Sequence, residues 1–212
     1  MAGGDVSFKP YHDYSSMTSK LRQLNDAHPD ISYLYKLSDQ SVEGRQLWVL
    51  QLGSSAGTER GQLVPMIKFV ANMHGNEVIG RELMITLAEY LLKEYEVCAL
   101  YSIAIVINKK FVLTDFFFQT TQAKNPRIVK LLDTTDIHLM PSMNPDGFER
   151  ATKGICRGYS HDTGRTNVEG KDLNRDFPGW DMLEKDRGEL LKGRAPETQV
   201  VAPLLIVTLR SS

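Results

Sequence analysis

The stretch that most constrains the fold of this chain lies between positions 66 and 92. Residues 66–73 (MIKFVANM) form an apolar run of strand length and pass without a linker through His74-Gly75-Asn76-Glu77 into a segment of helical periodicity. There Leu83, Leu87 and Leu91, with Met84 and Ala88 beside them, recur at the spacing of one helix face. A strand that feeds straight into an amphipathic helix has to lay that helix back over its own sheet, which predicts a layered α/β arrangement. The flanking sequence agrees. Ser15 or Ser16 is positioned to cap a helix carrying Met17, Leu21 and Leu24, and Pro29 halts it just after His28. Ile31, Tyr33, Tyr35 and Leu37 alternate with polar residues, and a turn at Glu43-Gly44 leads to a second strand over 46–52, so a β-hairpin is expected. Pro126 opens a shorter helix with Ile128, Leu131 and Leu132, and 137–140 reads as a further strand before the loop-rich 141–178. The expected fold class is α/β, a mixed β-sheet flanked by helices.

Composition narrows the function classes. The 212 residues are 42% apolar and 24% charged, enough for one domain with a real core. Basic and acidic side chains number 25 and 26, so no strong field is available for a nucleic-acid backbone or an anionic membrane, and no nucleic-acid partner is expected. Residues 1–14 lack a basic start and a continuous apolar stretch, so no secretory signal is visible in the chain as written. The longest apolar run, 97–107, is too short for a bilayer that needs ~20 residues, and no transmembrane segment is expected. Cys98 and Cys156 exclude a disulfide-dense scaffold but leave one bridge and two free thiols equally open.

Three segments carry candidate chemistry. His74 and Glu77 are three apart at a strand-to-helix junction, where a tight turn aims both at one spot, as a zinc ion requires of nitrogen and oxygen ligands; a helix cap with an exposed histidine explains the same residues. In GRTNVEGKDLNRDFP (164–178), an amide beside a guanidinium can grip a carboxylate, while Asp172, Arg175 and Asp176 also suit a solvated surface ion pair. PSMNPDGF (141–148) reads as a pair of rigid turns after a strand.

Taken in order, KFVANMHGNEVIGREL, IHLMPSMNPDGFE, GRTNVEGKDLNRDFP and GRAPET closely resemble the zinc metallocarboxypeptidases, specifically the regulatory branch that includes carboxypeptidases D, E, M and N. The resemblance implies that His74 and Glu77 are two of three protein ligands of one Zn2+, and that Arg165 is the catalytic arginine that stabilises the oxyanion. It further implies that Asn174 and Arg175 hold the free carboxylate of a peptide or protein C-terminus, and that Asp172 orients the His74 imidazole. The implied activity is release of C-terminal residues, Lys or Arg by branch, and the implied compartment is extracellular or secretory. The third zinc-binding histidine and the general base of the family would fall past Ser212, so the chain is expected to be a partial catalytic domain. A catalytically inactive fragment or a peptide-binding pseudoenzyme is the alternative. His138 is expected to be structural and His12 and His28 to be surface residues; His161, in the loop near Arg165, is the only histidine sterically suited to stand in for the missing ligand, a substitution that is not expected. Two segments depart from the family pattern: an insert at about 97–122, read as a buried strand pair or, in preference, as a segment outside the fold, and a tail at about 199–212, where Pro203 is expected to break the helix that Pro-Glu-Thr opens.

Overall fold

The computed structural model describes residues 11–58, 64–107, 125–152, 163–179 and 187–205. Its centre is a four-stranded mixed sheet of order β1-β2-β4-β3, with β1 Ser32–Gln40, β2 Gln46–Leu52, β3 Met66–Val70 and β4 Asp136–Met140. β1 pairs antiparallel with β2, and β2 antiparallel with β4. β3 runs parallel to β4 with Ile67 opposite Ile137 and Phe69 opposite Leu139. The helices are α1 Tyr14–Ala27, α2 Ile79–Ile107, α3 Pro126–Thr134, α4 Pro145–Arg150, α5 Arg187–Leu191 and α6 Pro196–Leu205. The expected class, a mixed sheet flanked by helices, is the class observed.

Strand alternation explains why both sheet faces are covered. In β2, Leu50 and Leu52 point to a core shared with α1, α2 and α3, where Met17, Leu21, Ile85, Leu92 and Leu132 are buried. Leu47 and Val49 point the other way, to a second core formed with Met140, Met143, Leu173, Val200 and Val201. Burying both faces of a strand needs apolar residues at successive positions, as β2 has. β1 divides likewise: Leu34 packs against the first core, Tyr35 and Leu37 against the second. Tyr33, expected to face inward, is largely exposed and stacks on Tyr35.

Several boundaries differ from expectation for identifiable reasons. α1 is capped by Asp13, not by Ser15 or Ser16, because its carboxylate accepts the Ser16 backbone N–H at 2.7 Å. β3 ends at Val70, since Asn72 adopts a left-handed φ of 53° and turns the chain. In α2 the buried line is Arg81, Ile85, Ala88 and Leu92, whereas Leu83 and Leu87 are exposed with Ile79 and Tyr90. That rotation brings Gly80 against Ala71, where an added Cβ would sit 3.2 Å from the alanine methyl, and stacks the Arg81 guanidinium 3.7 Å over the Phe148 ring. Over 97–107, the first part of the atypical insert, the backbone continues α2 as helix where a strand is one of the two readings, and 108–122 lie outside the described residues. α6 runs through Pro203 to Leu205 instead of breaking there. Among the described residues no helix is long and apolar enough to cross a membrane.

Candidate active site

The site begins where β3 ends. Asn72, 5% exposed, donates from its amide nitrogen to the carbonyls of His74 (2.9 Å) and Gly75 (3.0 Å), and accepts from Ser142 Oγ at 2.7 Å. These bonds fold the His74-Gly75-Asn76-Glu77 segment into a tight turn, closed by Glu77 N donating to His74 O at 3.0 Å, immediately before α2. Two other chain segments cross this turn backbone to backbone. A Cβ added at Gly75 would lie 2.1 Å from the Gly147 carbonyl carbon and 2.5 Å from Gly164 O, and one at Gly164 would lie 2.2 Å from Gly147 O. Only glycine fits such a crossing, and Gly164 also holds a φ of +74°. Asn144 ties the segments together: its N–H donates to Asn72 O at 3.0 Å and its Oδ1 accepts from Gly147 N at 2.8 Å as the cap of α4.

Four of the six residues singled out in the sequence meet at this crossing. His74 Nδ1 lies 2.9 Å from Glu77 Oε1, and His74 Nε2 lies 2.9 Å from Asp172 Oδ1. Arg165 Nη1 is 3.4 Å from His74 Nδ1 and 3.5 Å from Glu77 Oε1, while its Nη2 donates to Asp172 Oδ2 at 3.1 Å. A guanidinium can only donate, so Nδ1 is read as the acceptor and the ring proton as sitting on Nε2, where Asp172 receives it. Burial pushes the Asp172 carboxyl pKa up, but hydrogen bonds from His74, the Asn174 backbone and Arg165 outweigh it, and the net shift is downward.

Asn174 and Arg175 stand slightly apart. Asp172 caps a 3-10 turn over Leu173–Arg175, accepting from Asn174 N at 3.0 Å with the same oxygen that faces His74. Both side chains of the pair are exposed, and Arg175 Nη1 donates to the Asn174 carbonyl at 3.3 Å. Their link to the cluster is therefore the Asp172 carboxylate.

The donor set suits a zinc ion in part. A nitrogen lone pair and a carboxylate oxygen face one another at 2.9 Å, an electron-rich pair that calls for a cation, with imidazole nitrogen and carboxylate oxygen the ligand types zinc accepts. The Glu77 side chain is 62% exposed beside a His74 side chain at 9%, so the pair is open on the glutamate side. Among the described residues no third histidine, cysteine or carboxylate completes a metal cluster. His138 is 7% exposed and hydrogen-bonded from Nδ1 to the Tyr35 hydroxyl at 3.0 Å, the structural role expected of it. His12 is not a free surface residue: it binds Glu82 through both its N–H and Nδ1. His161 and Cys156 lie outside the described residues.

A parallel strand thus empties through a tight turn into a helix, with a His/Glu pair at that turn and an arginine set against it. Comparison with known proteins places it: the zinc carboxypeptidase family pattern matches residues 17–203, and the chain belongs to that family. It is 39% identical over 181 residues to carboxypeptidase E of Caenorhabditis elegans, covering 84% of this chain and 32% of that protein. It is 37% identical over 173 residues to the carboxypeptidase N catalytic chain of Rattus norvegicus, covering 82% and 32%. The chain thus spans about a third of the length of these relatives. Among solved structures, thrombin activatable fibrinolysis inhibitor superposes with a TM-score of 0.60 at 19% identity over 92% of this chain and 43% of that one. A metallo-carboxypeptidase from Burkholderia cenocepacia does so at 0.57 and 23% identity, over 93% and 38%; both likenesses concern the fold.

The residues that sequence reading passed over are the ones that build the crossing. Asn72 reads in the sequence as part of the strand over 66–73, and Gly75, Asn144, Gly147 and Gly164 as turn or loop residues. Their signal was present in Asn144-Pro145-Asp146-Gly147 and Gly164-Arg165 within the motifs, but a turn former does not announce what it turns toward.

Proposed function

We propose that this chain carries part of the catalytic domain of a zinc carboxypeptidase that releases C-terminal residues, Lys or Arg by preference, from peptides and proteins in the secretory pathway or outside the cell. The insert at about 97–122 and the tail at about 199–212 are the parts of that domain that depart from the family pattern. The observation carrying this reading is the His74 imidazole held between Glu77 and Asp172 with the Arg165 guanidinium against all three. His74 Nδ1 and Glu77 would hold the zinc ion. When bound, zinc supplies Lewis acidity, polarising a peptide carbonyl and making water a competent nucleophile near neutral pH.

The remaining chemistry belongs to the chain. Asp172 accepts the hydrogen bond of the His74 Nε2–H and so leaves the lone pair on Nδ1, the tautomer a metal ligand needs. Arg165 lies beside that lone pair and places positive charge where an oxyanion develops as the scissile carbonyl becomes tetrahedral. Arg175, with the Asn174 amide beside it, presents a planar fork that binds a carboxylate through two hydrogen bonds, which restricts cleavage to the last residue of a substrate.

A second reading, peptide binding without hydrolysis, is favoured by the absence of a third metal donor among the described residues. One experiment separates the two. The 212-residue chain is assayed for bound zinc and incubated with a peptide ending in Arg and with its C-terminal amide. Stoichiometric zinc with release of Arg from the free acid alone supports the carboxypeptidase. Binding of the free acid without turnover supports the second reading, and equal affinity for acid and amide sinks both.

A further inference from the structure

The loop that carries Arg165 and Asp172 begins and ends on the site, since those two side chains meet at 3.1 Å across seven positions. Seven positions of loop have many ways to separate their ends, so something must select this one. Asn167, 2% exposed, sits inside the loop and receives nearly all of its internal bonds. Its Oδ1 accepts from Glu169 N (3.1 Å) and Lys171 N (3.0 Å), its backbone N–H donates to Lys171 O (3.0 Å), and its carbonyl accepts from Gly170 N (3.0 Å). The amide could do this only in one orientation, and the other side of the molecule supplies it. Asn167 Nδ2 donates to Glu197 Oε2 at 3.2 Å, and Glu197, at the start of α6, is fully buried. A carboxylate accepts and does not donate, so it holds the amide nitrogen toward itself and leaves the amide oxygen to the loop. The other oxygen of Glu197 accepts from Val42 N at 3.4 Å in the β1–β2 turn.

We infer that Asn167, oriented by the buried Glu197, is the positioning residue that sets Arg165 and Asp172 across His74. Neither residue touches the site; they act by fixing the shape of the loop that closes on it. This assignment rests on the proposed role of the His74 cluster, and its test is built so the two can fail separately. Burying a carboxylate with one side-chain amide and backbone N–H groups as its partners among the described residues is costly for stability alone. The cost is met at a point that governs the separation of two charged groups.

The test uses the 212-residue chain labelled with nitrogen-15 at histidine. Imidazole nitrogen resonances of His74 are recorded without metal, and zinc affinity and thermal midpoint are measured separately. Glu197→Ala is expected to shift the His74 resonances and weaken zinc binding by about 10-fold or more. Glu197→Gln, whose side-chain carbonyl can still face Asn167 Nδ2, is expected to return both toward the unsubstituted chain. Leu132→Ala, in the first core, serves as a destabilised control and is expected to leave the His74 resonances in place. If Glu197→Ala does not fold, Asn167→Ser carries the same comparison, because a serine hydroxyl cannot span the loop and reach Glu197. His74 resonances unmoved in the folded variants, or moved equally by Leu132→Ala, would overturn the assignment, as would failure of Gln to rescue. If the unsubstituted chain binds no zinc, that outcome tells against the proposed function, and the metal-free resonances still decide the role of Asn167.

Discussion

Among the described residues the Arg175 guanidinium hydrogen-bonds its neighbour's carbonyl through Nη1, which leaves its other donors for a ligand. Arg175→Ala is therefore expected to weaken binding of a free-acid peptide without destabilising the fold. A charge-assisted hydrogen bond is worth about 1.5–3 kcal/mol, which corresponds to a loss of roughly 10- to 150-fold. Calorimetry with the acid and its amide checks this, and an unchanged Kd for the acid would remove Arg175 from the carboxylate grip. Asp172 is subject to a sharper expectation because one of its oxygens serves two donors, His74 Nε2 and Asn174 N. Asp172→Asn keeps an acceptor but loses the charge facing Arg165, and zinc affinity is expected to fall by about 10- to 100-fold. His74, Glu77, Arg165 and Asp172 were legible in the sequence because their types and order form motifs. Asn72 and Asn167 were not, because an asparagine that accepts from its own loop has the same sequence signature as one facing water.

At the scale of elements, the crossing of three backbones decides the site more than any single helix does. Gly75→Ala would drive a methyl to 2.1 Å from a carbonyl carbon, with no flexible side chain to yield, so the turn at His74 must shift. The expected result is loss of the His74–Asp172 contact and a clear drop in zinc affinity at a modest cost in melting temperature, read by metal titration alongside thermal unfolding. For α1, Asp13→Ala is expected to cost about 1 kcal/mol in denaturant unfolding, since the carboxylate satisfies the Ser16 N–H. Ser15→Ala is expected to cost little, which separates the observed cap from the one the sequence suggested. Periodicity located every helix of the first core, and in α2 it placed Ala88 and Leu91 correctly but turned Leu83 and Leu87 inward, where Ile85 and Leu92 are buried instead. Leu83 and Leu87 form as good an apolar line as Ile85 and Leu92, and only tertiary contacts at Gly80 and Arg81 choose between them. Pro203 misled for a related reason: a single missing N–H is tolerated where Val200, Val201 and Ala202 are packed into the core.

Across the whole molecule, buried acidic groups tie the layers to one another. Asp146, fully buried, accepts from Ser41 Oγ (2.7 Å), Glu43 N (2.9 Å) and Arg45 Nη1 (2.6 Å), so it joins α4 to the β1–β2 turn. Glu197 reaches the same turn from α6. Burial raises the Glu197 pKa above its ordinary value of 4.5. Between 4.5 and that raised value the folded chain holds more protons than the unfolded chain, so stability falls as pH rises through this window and its Glu197 contribution levels off above it. Glu197→Gln is expected to flatten that slope, as measured by denaturant unfolding at several pH values between 4 and 8; an unchanged slope would show that Glu197 does not titrate there. Composition promised a core but not two, and the second core, behind the site, was foreseeable only from the successive apolar residues of β2.

The contact between His74 and Asp172 spans 98 positions and lies at the meeting of three segments that are each loop in isolation. Closing such distances is entropically expensive and is repaid only when the segments arrive together, so these contacts belong to the late stages of folding. The pair proposed to bind the ion is then a property of the folded chain and absent from partly ordered forms. A metal that recognises only the completed chain draws the folding equilibrium toward it, by about 2.7 kcal/mol at a hundredfold excess over Kd. Cellular zinc supply would thereby act on how much of the chain persists in its native form, as well as on what that form does.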